Sequence, residues 1–253
     1  MAFVITGCGR SGTMGTAVLL DSLGVRTSFE EFFSANTALE DVQARFDRWL
    51  SATGTVGEVS GLAAPYLSQL PGTIILHQVR NPVAVLASLM GEWSMTEDRM
   101  RWMPNIKFNR RCLPELSIDD EPLVFYMKYW LLWNEMIESF AVLRYKVEDL
   151  GFPSPILDAI LQHIGQTAKA EAVYNPVYNH GHRDPRVTWR AIPSSQLKER
   201  IYQKALVYGY TEADLDTYCA SPETCNHCHR AFANLQDAMI VQYPGRVHYR
   251  DRR

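Results

Sequence analysis

The chain has 253 residues, 47% of them hydrophobic and 21% charged, with a formal net charge of -3. That length buries a substantial core, and the composition is ordinary for one globular domain. The near-neutral charge excludes a general pull towards nucleic acid, no apolar run reaches the ~18 residues of a membrane span, and the start lacks the character of a signal peptide, so a cytoplasmic enzyme is expected.

Phe3, Val4 and Ile5 read as a buried strand, because a strand covered on both faces is apolar without alternation. A Gly/Ser turn follows from Gly7 to Gly12, and Thr16 to Leu23 reads as a helix closed by Gly24. Strand, turn and helix start form a nest of N–H groups suited to phosphate, with an ordinary βα turn as the plainer alternative. Arg10 inside the turn and the hydroxyls of Ser11 and Thr13 favour the anion site. Gly7 and Gly12 have the Walker A separation, but Thr13 stands where its lysine belongs and Met14 where its magnesium-binding Ser/Thr belongs. This pattern points away from a magnesium-dependent kinase and towards an anion site that works without metal.

Val25 begins a second short strand, after which Phe29, Phe32 and Phe33 point inward and Glu30 and Glu31 stand at its edge. Thr37 and Glu40 make a capping box for a helix through Phe46 and Leu50, closed by Gly54. The stretch TVGEVSGLA is a strand and turn carrying Glu58 and Ser60, and Thr73 to Val79 is a strand in which His77 belongs to the core. Pro82 suits the first turn of a helix starting after Arg80. Arg80 and Ser88 therefore lie near the carboxyl edge of the sheet, where α/β folds bind their ligands.

Residues 91–118 mix Trp93, Trp102 and Phe108 with Arg99, Arg101, Arg110 and Arg111, a pattern that suits a lid or an acceptor pocket, with single-stranded nucleic acid ranking last. A long helix follows Pro122, with Trp130 and Trp133 in the core, then a strand from Ala141 to Arg144. Ser154 and Pro155 open a helix ended by Gly165, and another starts after Ser194. Thr211 and Asp214 form a capping box. Cys219, Cys225, Cys228, His227 and His229 beyond it are of the right kind for zinc, with a disulfide and free thiols as alternatives. Strands near 3–6, 55–59, 73–79 and 141–144 alternate with capped helices, so the expected fold is α/β, with a mainly parallel central sheet flanked by helices. The expected organisation is one domain over 1–253, with a cap around 91–140 and a Cys/His tail over 211–253.

The segment GRSGTM resembles the 5′-phosphosulfate loop of the P-loop sulfotransferases that use 3′-phosphoadenylyl sulfate (PAPS). IILHQVRNPVAVLASL is similar to that family's second motif, with Arg80, Asn81, Pro82 and Ser88 in place, and VLRYKVEDL matches its third with Lys146 and Val147 as extra residues. The resemblance spans residues 4–150. It implies a sulfotransferase that moves a sulfuryl group from PAPS to a hydroxyl or amine of a small-molecule or glycan acceptor, without metal. A nucleotide phosphotransferase and a non-catalytic nucleotide-binding protein are the alternatives. Carried onto this chain, the resemblance assigns Arg10, Ser11, Gly12, Thr13 and Met14 to the 5′-phosphosulfate and Arg80 and Ser88 to the 3′-phosphate. It also assigns Arg183 or Arg186 to a basic loop over the nucleotide. Arg10 stands for the family's lysine at the leaving group. The general base is sought among Glu30, Glu31 and Glu58, and Glu31 is favoured as the later of two acids flanked by phenylalanines, which raise a carboxyl pKa.

Overall fold

The computed structural model describes residues 2–35, 37, 40–92, 104–151, 153–167 and 187–216. All of them lie in one compact unit, Met1–Ala220. Five strands form a sheet: β1 (Phe3–Thr6), β2 (Thr27–Phe29), β3 (Gly57–Val59), β4 (Ile74–Val79) and β5 (Leu143–Lys146). Every described pairing is parallel, and the order is β2-β3-β1-β4-β5. The expected parallel α/β sheet is present. β5 starts two residues later than the apolar run suggested. Its pattern has period two: Leu143 and Tyr145 pair beside Leu76 and Gln78, Arg144 and Lys146 point to the other face, and Val142 stays exposed.

The helices are α1 (Thr13–Ser22), α2 (Val42–Thr53), α3 (Pro82–Glu92), α4 (Pro104–Cys112), α5 (Pro122–Glu138), α6 (Pro155–His163), α7 (Gln196–Val207) and the short α8 (Glu212–Asp216). One face of the sheet, with Phe3, Ile5, Leu76 and Tyr145, packs on Leu19, Leu20 and Leu23 of α1 and Leu157 and Ile160 of α6. The other, with Val4, Ile75 and Val79, is covered by α2, α3, α4, α5 and α7. The helix caps read from sequence at Ser154 and Thr211 form: Ser154 Oγ accepts from Leu157 N, and Thr211 and Asp214 exchange hydrogen bonds. Thr37 behaves differently. α2 starts only at Val42, and Thr37 Oγ1 accepts from Ser34 N and donates to Phe32 O. A hydroxyl near a tight turn serves nearby backbone groups as readily as a helix end.

The β1–β4 boundary positions the site. β1 leads through α1 to β2 on one side of the sheet, and β4 leads through α3 to β5 on the other. Adjacent strands whose following connections diverge open a crevice at their carboxyl ends, where α/β folds bind ligands.

Candidate active site

The β1 loop lies at that crevice. Arg10 and Gly12 both take left-handed backbone, at φ 71 and 90, and alternating left-handed residues turn successive N–H groups to one side. Glycine accepts this without strain, whereas for Arg10 it costs about 1–2 kcal/mol. Gly7 is required for another reason: a Cβ there would lie 2.1 Å from Gln78 O. Gly12 precedes α1 and no side chain caps that helix start, so its first-turn amides remain available to an anion.

One buried side chain, itself held by two others, fastens the loop. Gln78, fully buried in β4, donates to Ser11 O (2.7 Å) and accepts from Thr16 Oγ1 (2.6 Å) and Tyr145 OH (2.8 Å). From above, Tyr129 OH accepts from Gly9 N at 2.7 Å. Burial raises the Tyr129 pKa well above its usual value, so the phenol keeps its proton.

Arg10 Nε donates to Ser88 Oγ of α3 at 2.9 Å, and Arg80 Nη1 donates to Arg10 O at 2.8 Å. The loop after β1, the loop after β4 and α3 thus meet at one point, with two guanidinium groups beside the uncapped start of α1. Ser11 is fully buried and its Oγ has no partner among the described residues, Thr13 is buried, and Met14 is exposed. Asn81 caps α3, its Oδ1 accepting from Val83 N at 2.9 Å, and its own N–H donates to Glu148 Oε1. That explains the two extra residues of VLRYKVEDL. Lys146 completes β5, and Val147 begins a single 3-10 turn whose side chain lies 3.1 Å from where a Gly12 Cβ would stand and whose Glu148 secures Asn81.

The three acids separate clearly. Glu30 follows β2 with φ 50, and its Oε1 lies 3.4 Å from the position of a Gly61 Cβ, beside Gly7 O and Gly9. Although the residue is exposed, desolvation of its carboxyl raises its pKa, against the lowering effects of the Gly61 N–H and Arg10. Glu58 is fully buried in β3, and its carboxyl accepts from Phe32 N (2.9 Å) and Phe33 N (3.1 Å). Burial pushes it up to about 7, with those amides opposing and Glu31 adding to the rise. Glu31 is exposed, and its contribution here is the N–H it sends to Glu58 and the charge it places near it. Of the two neighbouring acids, Glu30 is the one whose carboxyl lies beside the β1 loop. The acid that faces the loop is the one in left-handed backbone. Glu58 lies buried beneath the turn after β2, its carboxyl taken up by the amides of that turn.

His77 is fully buried, its Nε2 2.9 Å from Asn134 Oδ1, with a pKa lowered to about 4 by burial. It belongs to the core, as expected. Sequence reasoning missed what α5 does. Beyond Tyr129 on Gly9, Trp130 Nε1 donates to Arg80 O (3.2 Å) and Trp133 Nε1 to Gly61 O (3.1 Å), so one helix holds the loops after β1, β3 and β4. Within the 91–140 region, α5 is largely buried against the sheet side of the site. Arg183, Arg186, residues 93–103 and the tail cysteines lie outside the described residues. Among the described residues no His/Cys/Asp/Glu group of metal-site size occurs, and no helix is long and apolar enough to cross a membrane.

No protein-family model and no curated protein matches the chain. Among solved structures, the sulfotransferase domain from the curacin biosynthetic pathway is 14% identical and aligns over 83% of this chain and 97% of its own, with a TM-score of 0.51. The sulfotransferase domain from the Synechococcus PCC 7002 olefin synthase is 18% identical, over 83% and 95%, with a TM-score of 0.48. A sulfotransferase from Alicyclobacillus acidocaldarius is 15% identical, over 83% and 96%, with a TM-score of 0.47. With its all-parallel sheet flanked by helices, the chain has the α/β fold of the sulfotransferase domain from the curacin biosynthetic pathway.

Proposed function

We propose that this chain is a sulfotransferase that moves a sulfuryl group from 3′-phosphoadenylyl sulfate to a hydroxyl of a small-molecule or glycan acceptor, an amine being the alternative nucleophile. The observation that carries the reading is the meeting of Arg10, Ser88 and Arg80 at the β1–β4 crevice, with Glu30 facing the same loop. The residues present suit such a donor: an uncapped helix start, a buried Ser11 hydroxyl lacking a partner among the described residues, and two guanidinium groups.

The donor supplies the sulfuryl group and leaves as adenosine 3′,5′-bisphosphate. The amides from Gly12 to Met14 and the Thr13 hydroxyl hold its 5′-phosphate, and Arg80 with Ser88 holds the 3′-phosphate. Arg183 and Arg186 remain candidates for closing over the nucleotide. Arg10 places permanent positive charge where negative charge grows on the leaving oxygen, so it favours the transition state over the ground state. Glu30 accepts the proton of the attacking hydroxyl, and its raised pKa makes it a stronger base than an ordinary glutamate. Thr13 and Met14 at the Walker lysine and magnesium positions disfavour a phosphotransferase.

The test is a thermal-shift comparison of adenosine 3′,5′-bisphosphate with ATP and magnesium, followed by transfer of labelled sulfate from the donor to a panel of phenols and primary alcohols. Stabilisation by the bisphosphate without metal, and labelled product whose rate of formation falls by about 10²-fold or more in Glu30→Gln but stays measurable, are expected. Stabilisation by ATP with magnesium alone would overturn the reading.

A further inference from the structure

We infer that Glu58 is a positioning residue for the transfer reaction: its buried carboxyl gathers the backbone N–H groups of the turn after β2 and thereby holds Glu30 against the β1 loop. The inference rests on the sulfotransferase reading, with Glu30 as the base. Val4, Glu58 and Ser28 are register partners across β1, β3 and β2, so Glu58 lies on the face under that turn. Phe32 N donates to both carboxyl oxygens, at 2.9 and 3.1 Å, and Phe33 N to Oε1 at 3.1 Å. Glu31 N–H also points to this carboxyl, and Ser28 Oγ lies 3.5 Å from Oε2.

Three successive amides converging on one side chain form a nest around its carboxyl oxygens. The turn they belong to starts at Glu30, whose left-handed backbone an unconstrained glutamate leaves readily. The amide bonds to Glu58 oppose that relaxation. The same β3 segment supplies the other end of the arrangement, since Ser60 N is bonded to Ile5 O and Gly61 meets the Glu30 carboxyl. Glu58 therefore sets the turn and Gly61, three residues on, receives the side chain that the turn aims. The groups facing Glu58 are Ser28, Glu31 and the turn amides; those facing Glu30 are Arg10, the Gly61 N–H and Tyr129.

Glu58→Gln keeps the volume but turns an NH2 towards the amides of Phe32 and Phe33. It should lower kcat by roughly 10–100-fold, the scale of a small misplacement of a reacting group. The Kd for adenosine 3′,5′-bisphosphate should stay within about threefold, because no assigned nucleotide contact is touched. In a Glu30→Gln background the same substitution should change kcat by less than about twofold, since there is no base left to aim. Multiplying losses in the double variant would overturn the positioning role. A readout independent of turnover is the carboxyl carbon-13 titration of Glu30, assigned by its loss in Glu30→Gln. Its pKa should lie above the usual glutamate value in the wild type and return towards it in Glu58→Gln. An unchanged Glu30 titration would overturn the inference even if transfer occurs, whereas absence of transfer with the expected titration would sink the sulfotransferase reading alone. Glu58→Asp, shorter but still a carboxyl, serves the same measurements should the glutamine variant fold poorly.

Discussion

At the scale of single residues, Arg10 combines strain with charge. Its left-handed backbone costs about 1–2 kcal/mol relative to a residue without Cβ. Arg10→Ala and Arg10→Gly both lose the guanidinium, so chemical denaturation should find the glycine variant more stable than the alanine variant by about 1 kcal/mol. Both should lose kcat by roughly 10²–10³-fold, the scale of one oxyanion donor, in single-turnover assays, while donor affinity falls less. Equal stabilities would mean the strain is absent. His77 and Glu58 set opposite pH trends. The His77 pKa is depressed from 6.5 to about 4, so its contribution to stability is present above pH 6.5 and is lost as pH falls through 4, by about 3 kcal/mol. Glu58 is raised from 4.5 to about 7, so its contribution is present below pH 4.5 and is lost as pH rises through 7. Denaturation midpoints across pH should therefore rise on the acid side in His77→Gln relative to its own neutral value, and flatten towards neutral pH in Glu58→Gln.

Among the elements, α5 is the one that ties the site together. Tyr129, Trp130 and Trp133 hold loops from three strands, and Asn134 bonds both His77 and its own helix at Trp130 O. Tyr129→Phe keeps the ring in the core but removes the acceptor for Gly9 N. A lost buried partner costs about 1–3 kcal/mol, so melting temperature should drop, and calorimetry should show bisphosphate binding weakened by about tenfold. Binding that stays at the wild-type level would show that Gly9 does not need the phenol to hold the loop. Periodicity read Trp130 and Trp133 as core, and both are fully buried. The indole N–H directions were not legible, because helical spacing reports which face is buried and not where a polar tip reaches.

For the whole molecule, the sheet order dictates that ligand binding joins parts far apart in the chain. A ligand bound between the loops after β1 and β4 ties Arg10 and Arg80 together and stabilises the folded state by RT ln(1 + [L]/Kd). At about 100 times Kd this is about 2.7 kcal/mol, or roughly 5–11 °C for a chain of this size. Adenosine 3′,5′-bisphosphate should give that shift without magnesium, and adenosine 5′-phosphate, lacking the group assigned to Arg80 and Ser88, should need at least about tenfold higher concentration. Equal shifts at equal concentrations would remove the 3′-phosphate assignment.

The sequence by itself determined the parallel α/β layout, the glycine turn after β1 and the helix starts at Pro82, Pro122 and Pro155, because each rests on local chemistry: apolar runs, backbone freedom at glycine and fixed φ at proline. It also brought Arg10, Arg80 and Ser88 to one sheet edge. Only the tertiary structure decided which acid meets the loop. Glu30 and Glu31 are neighbours of identical chemistry, and the sign of one backbone angle separates them. The turn that follows Glu30 is bonded to a carboxyl on β3, which lies under it because β2 and β3 pair in register. Pairing between strands is a long-range event, so no local pattern around residue 30 carries it.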